Sequence, residues 1–190
     1  MAGPDLLKDE TRRVLREARA SLSDEDHRRM SGLAIRRFLA SIPYKDYQRI
    51  ALYWPIGAEL NPLGLAQSPE LAAHTFVLPV IEGEESPLGF RRWAAGDEVV
   101  AADFGGSVPR STEALVPDLV VVPLVGFDRQ GHRLGQGGGF YDRTLAELRA
   151  NSKILTVGLA FCVQECLNIP HEDHDELLDR VVTEQEVIEF

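Results

Sequence analysis

Residues 133–143 read RLGQGGGFYDR, with four glycines in five positions followed by an aromatic pair and an acid. Glycine this dense costs backbone entropy, so the segment needs bare backbone for something. The N–H groups of such a loop can converge on an anion, and a helix that follows adds its positive end. Arg133 is positioned to pair with a phosphate. Asp142, in the first turn of that helix, is a candidate ligand for Mg²⁺, which takes one or two carboxylates and keeps several waters. Two nucleotide-binding templates do not fit. A GxGxxG turn would need glycine where Phe140 stands, and a P-loop would need a Lys-Ser/Thr pair that is missing. A glycine hinge or surface hairpin accounts for the composition equally well, and an ordinary helix N-terminal acid accounts for Asp142.

The elements that must hold this loop follow from periodicity. Residues 5–21 read as a helix with Leu7, Val14, Leu15, Ala18 and Leu22 on one side. A second helix starts at the N-cap Ser23, followed by Asp24, Glu25 and Asp26, and runs to about Ala40 with Met30, Leu33, Ala34 and Leu39 inward. Strands are expected at 49–55, 75–82, 88–93, 119–128, 154–161 and 180–184, a short helix near 61–73, and a helix over 140–150. Within 119–128, Pro123 removes one ladder hydrogen bond. Strands alternating with helices predict an α/β fold, one layered sheet with helices on both faces.

Composition bounds the function. A chain of 190 residues suits one domain with a sizeable core, and 44% hydrophobic with 26% charged residues is ordinary for a soluble protein. No apolar run approaches the ~20 residues of a membrane span, and the charged N-terminus lacks the apolar stretch of a signal peptide. The net charge of −10 argues against nucleic-acid binding. Basic residues outnumber acidic ones only over residues 1–40, so any anion met there is small. Cys162 and Cys166 lack CxxC spacing and a base signature, and read as core thiols in a reducing, cytoplasmic setting.

The stretch RLGQGGGFYDRTLA resembles the signature of the 5-formyltetrahydrofolate cyclo-ligase family, and the likeness spans nearly the whole chain. KDETRRVLREARASLS (8–23) resembles the family's opening K-x-x-x-R helix, and YWPIGAELNP (53–62) its Y-x-P-x-x-x-E segment. DLVVVPLVGFDRQGHRLG (118–135) resembles the strand leading into the loop, and GLAFCVQECLNIPHEDHDELLDRVVTE (158–184) the family's ending. The resemblance implies a NagB/RpiA/CoA-transferase-like layered fold over residues 1–190. It also implies ATP- and Mg²⁺-dependent closure of 5-formyltetrahydrofolate to 5,10-methenyltetrahydrofolate. ADP and phosphate are released, and the route passes through a phosphorylated formyl group.

Carried over position by position, the resemblance implies that Lys8, Arg12, Arg133, Leu134, Gly135, Gln136, Gly137, Gly138, Gly139, Phe140 and Tyr141 meet ATP. Arg133 and Asp142 take catalytic roles, and Asp142 and Asp175 hold Mg²⁺, with Glu172, Asp173 and Asp179 close to the second of these. Ile56, Glu59, Asn61 and residues 136–140 meet the folate. A hard Mg²⁺ beside phosphate does not want imidazole, so His171 and His174 read as surface residues. Trp54, Phe90 and Trp93 are either aromatic walls or plain packing. Asn61, Gln136 and Phe140 depart from the family's usual Asp or Glu, Tyr and Tyr, and Pro62 stands where Thr is often found. A monomer suffices for this chemistry, with small molecules as the only partners. The Asn61 change would also permit a diverged member acting on another pterin or amide, or a noncatalytic nucleotide or folate binder. A bare binder, however, has no need for metal-positioning carboxylates.

Overall fold

Alternation of side chains along the central strands divides the core in two. The computed structural model describes residues 4–102 and 107–190. Among the described residues, three α-helices, α1 (Pro4–Ala20), α2 (Asp24–Ser41) and α3 (Phe140–Asn151), are interleaved with strands. The strands are β1 (Arg49–Ala51), β2 (Thr75–Ile81), β3 (Leu88–Trp93), β4 (Val99–Ala101), β5 (Ser107–Pro109), β6 (Leu119–Val122), β7 (Gly126–Phe127), β8 (Arg133–Leu134), β9 (Leu155–Leu159), β10 (Arg180–Val182) and β11 (Val187–Glu189). Seven of them form one sheet in the order β11-β10-β9-β6-β1-β2-β3, parallel from β10 to β2 and closed at each edge by an antiparallel strand.

Within β6, Leu119 and Val121 pack with Met30, Ala34 and Phe38 of α2 on one face. Val120 and Val122 pack with Leu145 and Leu148 of α3 on the other. This period of two on a doubly covered sheet makes β6 apolar throughout. The α2 start follows its capping chemistry, with Ser23 Oγ accepting the Asp26 N–H at 3.1 Å. On α2 the buried face is Met30, Ser31, Ala34 and Phe38. Leu33 and Leu39 are only half-buried, because Phe38 takes the central position between them.

Four expectations need correction. The expected strand 119–128 ends at Val122, because Pro123 breaks the ladder, and the chain then forms a hairpin of β7 with β8. Asp128 builds that hairpin's turn, its fully buried carboxylate accepting N–H groups of Gln130, His132 and Ile169. The expected strand 49–55 shortens to β1, and the expected helix near 61–73 is two 3₁₀ turns, Pro62–Gln67 and Pro69–Leu71. On α1, Leu7 and Val14 are exposed, and the face turned inward is Lys8, Arg12, Leu15 and Arg19. Leu15 packs with Val125, Leu134 and Ile169, and fits because Gly126 beneath it has no side chain.

The sheet reverses its winding between β1 and β6. In an α/β sheet the crevice beyond the carboxyl ends of strands at such a point is the place for a ligand. Tyr53 and Trp54 follow β1 there, and Pro123 and Leu124 follow β6.

Candidate active site

A cavity of about 400 Å³ opens at this switch point. Its lining includes Tyr53, Trp54, Ile56 and Glu59, the loop 135–139 with the start of α3, and Lys8, Arg12, Glu172, His174 and Asp175. Every expected site residue except Asn61 lines it. Asn61 is exposed, and its Oδ1 accepts the Leu63 N–H at 2.9 Å as the cap of a 3₁₀ turn. It acts on the loop that carries Glu59 and does not reach the cavity wall.

The glycine loop joins β8 to α3, whose positive end therefore faces the cavity. Two of its glycines are demanded by backbone conformation, Gly137 at φ +109° and Gly139, the α3 N-cap, at φ +63°. Gly139 offers no side-chain cap, so the first N–H groups of α3 lack an N-cap side chain. Phe140 packs back on the loop, and the Arg143 guanidinium lies 5.1 Å above its ring. Tyr141 is half-buried at the same helix start.

The inward face of α1 is cationic, and its charges are held by the surroundings. Lys8 Nζ lies 2.8 Å from both Glu172 Oε2 and Asp175 Oδ2. Burial lowers the pKa of Lys8, but the bonds to Asp175 and Glu172 outweigh that and leave it raised. Arg12 Nε donates to Gly135 O at 2.9 Å, Arg16 Nη2 to Gln136 Oε1 at 2.5 Å, and the buried Arg19 to Leu124 O at 3.2 Å. Arg16 and Arg19 extend the stripe begun by Lys8 and Arg12. Their four- and three-residue spacing in the sequence was the available signal.

Glu59 is 5% exposed. Gly57, at φ +60°, turns the chain so that Glu59 Oε2 accepts the Ile56 N–H at 3.0 Å, while Oε1 accepts the Gln136 amide at 2.9 Å. The buried Tyr53 hydroxyl donates to Leu60 O at 2.6 Å, and His27 Nε2 donates to Ala58 O and Glu59 O at 3.2 and 3.1 Å. Burial pushes the Tyr53 pKa well above its ordinary value, so that hydroxyl stays a donor. Trp54 completes the wall and meets Trp93 edge to face at 6.2 Å. Trp93 and Phe90 are buried packing residues and do not line the cavity. Ile56 is exposed and lines it.

The acidic segment 172–179 divides into distinct roles. Asp179 accepts both the N–H and O–H of Thr156, and Glu176 pairs with Arg149. Glu172 and Asp175 face the cavity, and their oxygens and a nitrogen of His174 lie within 4.8 Å of one another. Asp142 Oδ1 accepts from Arg133 Nη2 at 2.8 Å and from the Glu176 N–H at 3.0 Å. Arg133, 7% exposed, spends its other nitrogen on Glu176 O. Its guanidinium thus orients Asp142, where the sequence suggested direct phosphate pairing. His174 lines the cavity, and His171 stacks on His132 with ring centres 3.7 Å apart.

A family model described as the 5-formyltetrahydrofolate cyclo-ligase family matches residues 6–184. The chain belongs to that family. It is 31% identical over 174 residues to a 5-formyltetrahydrofolate cyclo-ligase of Haemophilus influenzae, covering 88% of this chain and 92% of the relative. It is 30% identical over 183 residues to the same-named protein of Escherichia coli K12, covering 93% and 100%. The solved structure of a 5,10-methenyltetrahydrofolate synthetase from Aquifex aeolicus superposes with a TM-score of 0.80 at 32% identity, covering 96% of this chain and 92% of that one. A synthetase structure from Mycoplasma pneumoniae shares the fold, with a TM-score of 0.71 at 21% identity, covering 93% and 98%. In this cyclo-ligase family member, the cavity gathers the glycine loop, Lys8 and Arg12 of α1, and the Glu59 segment around one space.

Proposed function

We propose that this chain uses ATP and Mg²⁺ to cyclise 5-formyltetrahydrofolate to 5,10-methenyltetrahydrofolate, with release of ADP and phosphate. The observation that carries the reading is the shared cavity, lined both by an anion-suited glycine loop and by a buried carboxylate with an aromatic side chain. A formamide oxygen is a very poor leaving group, so the reaction needs two substrates met in line and phosphate charge neutralised. The loop N–H groups and the α3 N-terminus hold the phosphates, assisted by Lys8 and Arg12. Glu59 accepts the N–H donors of the pterin edge, and Trp54 and Ile56 cover its flat face. The γ-phosphoryl group passes to the formyl oxygen. N10 attacks the activated carbon and gives up its proton, the C–O bond breaks, and that oxygen leaves in phosphate.

Asp142, Asp175 and Glu172 bring hard oxygen donors to the wall beside the loop, a set that suits Mg²⁺. Such an ion would neutralise charge on the transferring phosphoryl group. Arg133 holds the Asp142 carboxylate in place, and Lys8 offsets the paired charge of Glu172 and Asp175. Both α1 and the 172–175 segment line the cavity, so residues 1–190 act as one catalytic unit, for which a monomer suffices. Two free, half-buried cysteines suit a reducing cytoplasm.

Substrate labelled with ¹⁸O in the formyl group tests the route. The label is expected in inorganic phosphate, one atom per turnover. Recovery of the label in water would contradict phosphoryl transfer to that oxygen.

A further inference from the structure

We propose that Gln136 is a positioning residue whose amide competes with the pterin's N–H edge for Glu59, so that folate must displace this side chain of the glycine loop from the carboxylate in order to bind. The inference rests on the reading of Glu59 as the pterin acceptor. Gln136 spans two walls of the cavity. Its Nε2 donates to Glu59 Oε1 at 2.9 Å, and its Oε1 accepts from Arg16 Nη2 at 2.5 Å. Each Glu59 oxygen has one donor; the Ile56 N–H on Oε2 is fixed backbone, whereas the Gln136 amide on Oε1 is a side chain that a ligand donor can displace. A buried carboxylate is costly without donors, which makes this amide an effective internal competitor.

The Gln136 side chain can let go while Arg12 and Arg143 hold the loop backbone at Gly135 O and Gly138 O. Gly135 and Gly137 flank the position, Gly137 at positive φ, and a Cβ at Gly135 would meet nothing within 4 Å. Gln136 itself is exposed, so its side chain has solvent into which to swing. A donor placed on Glu59 Oε1 frees the amide from one wall, leaving only Arg16 to hold the residue to α1. Occupation of the pterin wall is thereby transmitted to the loop that faces the phosphates.

The test is calorimetric titration of 5-formyltetrahydrofolate without nucleotide into wild-type protein, Gln136→Ala, and Gln136→Asn, whose shorter side chain cannot bridge both walls. Displacing one or two hydrogen bonds of ordinary net strength sets the scale, so both variants are expected to bind roughly three- to tenfold tighter. Arg16→Ala shifts the same way by a smaller factor. A 2-desamino analogue, which lacks part of the N–H edge, shows a smaller gain. Weaker binding in the Gln136 variants would make the residue a ligand contact and overturn the proposal. Equal tightening for both ligands would reduce the effect to loop crowding and overturn it too. Absence of binding by the wild type itself would instead defeat the folate reading, and this inference with it.

Discussion

At the scale of single residues, the cavity is a set of charges held by specific partners. Asp142 is fixed by Arg133 and by the Glu176 N–H. Asp142→Asn keeps an oxygen for both donors but removes the charge. Turnover on the folded variant, measured well below its melting temperature, is expected to fall by about 100-fold, the scale of losing electrostatic stabilisation at a transferring phosphoryl group. Near-normal turnover would remove Asp142 from the chemistry. Cys162 lies outside the cavity lining and tests the opposite expectation. Burial, with the hydrogen bond and charge of Glu184, pushes its thiol up to about 11. A raised pKa leaves little thiolate at pH 8, so maleimide should modify Cys162 about tenfold or more slower than free cysteine. The rate should rise with pH toward 11. Fast modification at pH 8 would contradict the thiol's buried, hydrogen-bonded setting.

At the scale of elements, the cavity depends on how α1 and α3 present their ends. Gly139 starts α3 in the left-handed region, which costs other residues about 1–2 kcal/mol, and a Cβ there would also press on Arg143. Gly139→Ala should therefore lower stability by about that amount in urea unfolding, with an unchanged slope. An unchanged midpoint would mean that the loop can adopt another conformation at no cost. The sequence made α2, α3, β2 and β3 readable, because capping, apolar periodicity and turn residues agree there. It misled on α1, where Leu7 and Val14 looked inward. There the cations found carboxylates and carbonyls from segments more than a hundred residues away, and no local pattern reports such partners. The hairpin β7–β8 was hidden for a related reason. Its turn is organised by the buried Asp128, whose donors include Ile169 from a distant segment.

At the scale of the molecule, a largely parallel sheet that reverses its winding between β1 and β6 creates one crevice, and stretches of chain far apart in sequence close around it. The loop signature, Glu59 and the N-terminal Lys8 and Arg12 were legible as types and spacings. Their convergence was not, because it depends on strand order. Nor was the bridging role of Gln136, which a single sequence shows only as an unexpected amide. The central claim is that this cavity brings a triphosphate against a formyl oxygen. The measurement that tests it most directly mixes the purified protein with 5-formyltetrahydrofolate, Mg²⁺ and ATP, and follows the near-ultraviolet absorbance of the methenyl product. The account predicts a rise that requires ATP, with one ADP formed per methenyl group. A flat trace from folded protein that binds both compounds would contradict it.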